Sequence, residues 1–83
     1  MTRIIEWRPR AIKDLDRLSP EIARRVRAAV ERLREGEGDV RRLQDVDPPL
    51  FRLRVGDLRV LFEHSEEHAI VIRRVLPRDK AYR

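Results

Sequence analysis

The chain has 83 residues and carries 20 Lys and Arg residues against 15 Asp and Glu residues, a formal net charge of +5 at pH 7. This length predicts one domain, residues 1–83, with a small core. The chain has no cysteine, which excludes disulfides and thiolate zinc sites. No apolar run is long enough for a transmembrane helix or typical of a signal peptide, so we expect a cytoplasmic protein.

Arginine dominates the basic residues, because all but Lys13 and Lys80 are arginines. The planar guanidinium group suits phosphates and carboxylates and stacks on bases. The excess of positive charge therefore favours an anionic partner, either a nucleic acid or an acidic protein. A general preference of the proteome for arginine over lysine explains the large number of arginines equally well. The positions of the arginines must therefore decide between this explanation and a binding function.

The first half of the chain predicts a strand followed by a helical hairpin. Residues 3–7 combine isoleucine and tryptophan in a run typical of a strand. Pro9 suits the first turn of one helix, and the Ser-Pro-Glu sequence at 19–21 predicts the capped start of a second. The second helix is expected to end at Gly36. Its apolar stripe consists of Ile22, Val26, Ala29, Val30 and Leu33.

The second half predicts a loop and three strands. The loop covers residues 36–49, and the strands cover 50–55, 58–63 and 69–76, where apolar residues alternate or run continuously. The element order is therefore β-α-α-β-β-β. We predict an α+β fold in which the helical hairpin packs on one face of a four-stranded, mainly antiparallel sheet.

Three arginines are predicted to share the other face of this sheet. If Gly56 and Asp57 form a two-residue turn, Arg54 lies directly opposite Arg59, and Arg52 projects from the same face. Opposed residues have Cβ atoms about 4.5–5.5 Å apart, where like charges destabilise a hairpin. The trio therefore predicts an anion site. The alternative is a solvated face on which arginine stems cover apolar surface.

The polar tail adds an aromatic ring to this basic region. Tyr82 follows the last predicted strand between Arg78 and Arg83, and an aromatic ring beside arginines suits stacking on an unpaired base. The alternative is a tyrosine that packs at the C-terminus. His64 and His68 have no evident third ligand, so we predict no metal site. The sequence also has no nucleophile triad or phosphate-binding glycine loop, and no cofactor is expected.

The chain resembles the RelE/ParE superfamily of toxin–antitoxin toxins over essentially its whole length. The resemblance lies in four segments in the same order: the start IEWRPRAIKDL, the strand pair FRLRVGDLRVLFE, the last strand IVIRRV and the ending RDKAYR. No single segment is diagnostic, but the full set within 83 residues is far more specific.

RelE-like members imply a ribosome-dependent endoribonuclease that cuts mRNA in the A site without metal and so inhibits translation. By the same resemblance, Arg54 and Arg59 would bind the scissile phosphate, Arg78 would act on the leaving group, and Tyr82 would stack on a base. Further basic residues would contribute to binding RNA phosphates, namely Arg52, Arg74, Lys80 and Arg83.

The chain differs from the RelE pattern at Arg52 and Arg54, because RelE has lysines at both of these positions. A lysine can serve as a base when its pKa is lowered, whereas arginine stays protonated in proteins. The alternatives are therefore a ParE-like inhibitor of DNA gyrase without nuclease activity and a catalytically inert binder of the same fold. Each of these functions implies a RelB-like antitoxin as partner. An antitoxin with acidic stretches and an amphipathic helix would complement this arginine-rich chain.

Overall fold

Two helices and five strands make up the described part of the chain, residues 3–65 and 68–81, in a computed structural model. In chain order they are β1 (Ile4–Trp7), α1 (Pro9–Asp16), α2 (Pro20–Arg32), a 3₁₀ turn (Leu33–Glu35), β2 (Val40–Arg42), β3 (Phe51–Val55), β4 (Leu58–His64) and β5 (Ala69–Pro77). No helix within these residues is long and apolar enough to span a membrane.

Both helices begin where the sequence predicts. Pro9 occupies the first turn of α1 and Pro20 that of α2, where the missing N–H costs no helical hydrogen bond. Ser19 caps α2, and its Oγ accepts a hydrogen bond of 3.3 Å from the backbone N–H of Ile22. Gly36 ends the helical segment in the left-handed conformation, with φ of 74°.

The sheet has the strand order β1-β5-β4-β3-β2, with β1 parallel to β5 and the other pairs antiparallel. The predicted α+β class is confirmed, but the predicted number of four strands is wrong. The missed strand is β2, which lies inside the segment predicted as a loop. Its three residues are all exposed, and Val40 is its only apolar residue, so no alternation marks it. Pairing with β3 forms it instead.

The core lies between the helices and one face of the sheet. Its buried members are Ala11, Leu15, Ala23, Val26, Val30, Leu33, Leu53, Val55, Val60, Phe62, Ile70, Ile72 and Val75. Trp7 packs against this cluster from β1. Ile12 of α1 lies outside this core and is 45% exposed. The opposite face of the sheet, turned away from the helices, is called the outer face below.

A β-bulge in β5 sets which of its residues reach the outer face. Phe62 pairs with Ile72 and Leu61 pairs with Arg74, so Arg73 is an extra residue in the strand. Because of this insertion, Ile72 and Val75 both lie in the core although three positions separate them. Without the bulge, strict alternation would direct Arg74 into the core.

Asp14 of α1 forms hydrogen bonds with the part of β5 that extends beyond the end of β1. Its Oδ2 accepts hydrogen bonds from the Val75 backbone N–H at 2.8 Å and from Arg74 Nε at 2.9 Å, and its Oδ1 accepts from Arg74 Nη2 at 3.2 Å. The β1 strand ends at Trp7, opposite Ile72. The Asp14 carboxylate therefore supplies an acceptor along the β5 edge that β1 no longer covers.

Replacing Asp14 by alanine is expected to lower the free energy of unfolding by about 2 kcal/mol, because a largely buried cation and a backbone N–H lose their acceptor together. The side chain of Asp14 is 10% exposed and that of Arg74 is 28% exposed. Asp14→Asn should cost less, since its amide oxygen still accepts from Val75. Urea unfolding measures both. Glu63→Ala, which removes the more exposed pair with Arg73, should change stability by less than about 0.5 kcal/mol.

His64 is expected to make folding stability depend on pH. Its ring lies edge-on to Phe51 at 4.9 Å and to Phe62 at 5.7 Å. Desolvation by this packing, with a smaller contribution from the charge of Arg3, lowers the pKa of His64 below its ordinary value of 6.5. The unfolded chain therefore binds the proton more readily than the folded chain.

The free energy of unfolding should consequently fall as the pH drops below 6.5. Urea titrations at pH 7 and at lower pH measure this slope. His64→Gln should flatten it in that interval. An unchanged slope in His64→Gln would assign the dependence to other groups.

Candidate functional site

The outer face holds the three arginines that the sequence places together. The register confirms the predicted hairpin: Val55 pairs with Leu58, Arg54 with Arg59 and Arg52 with Leu61. Gly56 has φ of 57°, the conformation that this tight turn requires. The structure thus brings two arginine residues to directly opposed positions on β3 and β4, next to the turn.

Arg59 is held rigidly by its own hairpin turn. The residue is only 8% exposed. Its Nη1 donates to the carbonyl oxygens of Gly56 at 3.0 Å and Leu58 at 2.9 Å. Its Nε is buried without a hydrogen-bond partner among the described residues. The guanidinium is therefore fixed in place by its own turn before any ligand arrives, as preorganised charge requires, although the unused Nε donor is itself buried.

The side chain of Arg52 is hydrogen-bonded to Asp39, at the edge of the sheet. It is 8% exposed, and its Nη1 lies 3.2 Å from the carbonyl oxygen of Asp39 and 3.5 Å from its carboxylate. The same carbonyl oxygen accepts the backbone N–H of Arg54 at 3.0 Å. Arg52 thus joins the segment before β2 to β3, whereas the side chain of Arg54 is exposed.

The segment after β5 returns to the hairpin turn. The backbone N–H of Arg78 donates to the carbonyl oxygen of Asp57 at 3.0 Å, and that of Lys80 donates to Pro77 at 3.0 Å. Ala81 is 5% exposed and anchors the segment. Arg78 and Lys80 are exposed, so the structure places both cations at the same end of the sheet as Arg59. Tyr82 and Arg83 lie outside the described residues.

Arg74 is bound within the protein. Its bidentate hydrogen bonds to Asp14, supported by the carboxylate charge, raise its pKa further above the ordinary arginine value, against the opposing effect of burial. Its guanidinium therefore stays charged and is directed to the edge of β5. No sequence pattern indicates this pair, because its two members lie far apart in the chain.

Arg41 is an outer-face residue that sequence reasoning missed. It lies on β2 directly opposite Arg52 and is exposed. The signal was hidden because β2 was not recognised as a strand. Within the part of the chain that the structure describes, no group of three or more His, Cys, Asp or Glu residues has the arrangement of a metal site.

Comparisons with known proteins give one family-model match. Residues 5–82 match the family model described as the ParE toxin of the type II toxin-antitoxin system parDE. No curated protein sequence matches the chain.

Solved structures are similar over almost the entire chain. The archaeal RelE–RelB complex from Pyrococcus horikoshii has 27% identity and a TM-score of 0.72, over 98% of this chain and 100% of that one. The RelBE2 toxin-antitoxin complex from Mycobacterium tuberculosis has 28% identity and a TM-score of 0.64, over 94% and 100% of the two chains. The RelB–RelE complex from Methanococcus jannaschii has 23% identity and a TM-score of 0.74, over 93% and 94%, and shows the shared fold.

Proposed function

Since the chain belongs to the ParE toxin family of type II toxin–antitoxin systems, within the RelE/ParE superfamily, we propose that it inhibits translation as a metal-independent, ribosome-dependent endoribonuclease. One observation carries this proposal: Arg54 and Arg59 are directly opposed beside a turn, and two carbonyl oxygens of that turn region fix Arg59. Holding like charges together weakens a hairpin, which favours an anionic ligand at this position.

The chemistry that suits such a site is cleavage of RNA by its own 2′-hydroxyl. The 2′-oxygen attacks the adjacent phosphorus, the bond to the 5′-oxygen breaks, and the products are a 2′,3′-cyclic phosphate and a 5′-hydroxyl. Negative charge on the phosphoryl oxygens rises in the transition state. Arg54 and the preorganised Arg59 would stabilise that charge, Arg78 would donate a hydrogen bond to the departing 5′-oxygen, and that oxygen would take its proton from water.

The site would act by charge rather than through a general base on the sheet. Arginine remains protonated, so Arg52, Arg54 and Arg59 cannot accept the 2′-proton. Within the proposal, a group on the ribosome or the phenolate form of Tyr82 takes this proton, and the Tyr82 ring also stacks on a base. Four further basic residues would bind phosphates of the RNA backbone, namely Arg52, Arg74, Lys80 and Arg83. Two of them, Arg52 and Arg74, already have hydrogen-bond partners within the protein.

The proposed partners follow from the same family. The solved relatives from P. horikoshii and M. tuberculosis are complexes of toxin with antitoxin, so we propose a RelB-like antitoxin that neutralises this chain. The target would be mRNA in the ribosomal A site. This target places the protein in the cytoplasm, and the proposed reaction uses no cofactor.

Inhibition of DNA gyrase without nuclease activity is the second candidate. The matching family model is that of ParE. In addition, Arg52 and Arg59 each use Nη1 in hydrogen bonds within the protein, which leaves fewer donors for a phosphate. A purely structural role of these two arginines would fit a protein that binds its target and cleaves nothing.

Induced expression in cells with mapping of mRNA 5′ ends separates the two candidates. We expect growth arrest with new 5′ ends inside translated reading frames, in phase with codons, and no damage to DNA. Arrest with intact mRNA and an SOS response that depends on gyrase would contradict the nuclease and support the second candidate. Absence of arrest would contradict both.

A further inference from the structure

A pocket of about 320 Å³ lies at the edge of β5 that β1 does not cover. It is called the edge pocket here and is formed by the end of α1, the start of β4, the last residues of β5 and Lys80 of the segment that follows. Leu76 lines the pocket and pairs directly with Arg59 across the sheet. Paired Cα atoms on adjacent antiparallel strands lie about 4.5–5.5 Å apart. The edge pocket therefore begins next to the proposed site of the scissile phosphate.

The charges that line the edge pocket do not cancel. Asp14 and Arg74 pair with each other at 2.9 Å, so they neutralise one another. Arg17 and Lys80 are exposed and also line the pocket. Neither side chain has a hydrogen-bond or ion-pair partner within the described part of the chain, and the acidic residues next to them in sequence do not line the pocket. Two positive charges are therefore available to an anion.

The backbone holds both of these cations in position. Arg17 is the C-cap residue of α1, and Leu18 after it packs against the core. The backbone N–H of Lys80 donates to the carbonyl oxygen of Pro77 at 3.0 Å, and Ala81 after it is 5% exposed. Each cation thus extends from a fixed backbone on one side of the pocket, and only its own side chain must be ordered by a ligand.

The uncharged lining of the edge pocket is aliphatic. It consists of Leu18, Leu58, Val75, Leu76 and Pro77. No aromatic ring and no side-chain amide lines the pocket, so the usual groups for stacking on a base or reading its edge are absent. Cations beside an aliphatic floor suit the phosphate and the sugar of a nucleotide, whichever base it carries.

We infer that the edge pocket binds the phosphodiester next to the one that is cleaved, with Arg17 and Lys80 as its ligands. The inference rests on the proposed function, because it requires the scissile phosphate to lie at Arg59. A line of positive charge then runs from β4 across the end of β5 to α1, as in a groove that follows a single-stranded backbone.

The subsite would act on binding rather than on the chemical step. Arg17 and Lys80 contact a phosphate whose charge does not change in the reaction, so they bind the substrate and the transition state equally well. Loss of either cation should therefore weaken productive binding of mRNA and leave the rate of the bound complex unchanged. This behaviour differs from that expected for Arg59 and Arg78, which contact the reacting phosphate and its leaving group.

Single-turnover cleavage of ribosome-bound mRNA at increasing concentrations of purified chain tests the inference. Arg17→Ala should raise the concentration that gives half of the maximal rate about five- to tenfold and change the maximal rate by less than about twofold. Arg17→Lys keeps the charge and should stay within about threefold of the wild-type concentration. Arg27→Ala removes an exposed cation from α2 and should behave as the wild-type chain.

A neutral methylphosphonate linkage, placed on either side of the cut in turn, identifies the phosphate that is contacted. With the wild-type chain, one of these two linkages should raise the half-maximal concentration about as much as Arg17→Ala does. In the Arg17→Ala variant the same linkage should have a smaller effect, because the contact that it removes is already weakened. Thermal unfolding at the wild-type temperature would confirm that this variant is folded.

Three results would overturn the inference. One is wild-type kinetics in Arg17→Ala. Another is a neutral linkage that has the same effect in Arg17→Ala as in the wild-type chain, which would assign Arg17 to ribosomal RNA. The third is a lower maximal rate at an unchanged half-maximal concentration, which would place Arg17 at the reacting bonds. Failure of the proposed function is distinguishable, since the wild-type chain would then cut no mRNA at any concentration, and the subsite would fall with it.

Discussion

The Arg59→Ala/Arg78→Ala variant is expected to cleave mRNA on the ribosome about 10²–10³-fold more slowly than the wild-type chain. Removing one preorganised donor from a site of developing negative charge has an effect of this size, and donors that act together are not additive. The single-turnover rate of mRNA cleavage on ribosomes measures it. Arg27→Ala removes a positive charge from the exposed side of α2 and should keep the wild-type rate.

A loss of folding must be distinguished from a loss of catalysis, because Arg59 is bound to its own turn. Arg78→Ala alone serves this purpose, since the Arg78 side chain is exposed and its backbone N–H remains available to Asp57. Arg78→Ala should unfold at the same temperature as the wild-type chain and still cleave mRNA more slowly. Wild-type cleavage in both Arg78→Ala and the folded double variant would remove these two residues from the site.

Gly38→Ala is expected to destabilise the fold by about 2–3 kcal/mol. Gly38 has φ of 128°, and a Cβ atom there would lie 2.8 Å from Cδ1 of Leu53, a core residue that is 1% exposed. Backbone strain and overpacking therefore add. Gly36→Ala is the matched control, because φ is 74° and no atom lies within 4 Å of its Cβ position. It should cost only about 1 kcal/mol.

Urea unfolding of the two glycine variants measures this difference. Equal losses for both would show that Leu53 moves aside freely and that only the backbone conformation matters. Gly38 immediately precedes Asp39, whose carbonyl oxygen bonds to β3. The Gly38→Ala variant should therefore also release β2, seen as faster hydrogen exchange of the Arg54 amide.

The hairpin register and the arginine face could be predicted from the sequence because they depend on local rules. A two-residue turn fixes which residues are opposed, and alternation fixes which residues share a face. The bulge in β5 is different, since IVIRRV alternates equally well without it. Its position follows from packing Ile72 and Val75 into one core, which is a tertiary effect.

The partners of the arginines could not be predicted for the same reason. Arg74 meets Asp14 across the fold, and Arg52 meets Asp39 only because β2 forms. Sequence patterns identify arginines that share a face but not the carbonyl oxygens that their side chains reach. The bonds of Arg59 to Gly56 and Leu58 are local, yet their formation depends on a turn geometry that the sequence leaves open.

The central claim, cleavage of mRNA by a charged site on the outer face, is tested most directly on isolated ribosomes that hold a defined mRNA with an empty A site. Purified chain is added, and both new RNA ends are mapped and chemically identified. We expect one cut within the A-site codon, leaving a 2′,3′-cyclic phosphate and a 5′-hydroxyl, and the same cut formed about 10²–10³-fold more slowly with the Arg59→Ala/Arg78→Ala variant. Intact mRNA, together with inhibition of DNA supercoiling by purified gyrase, would contradict the account.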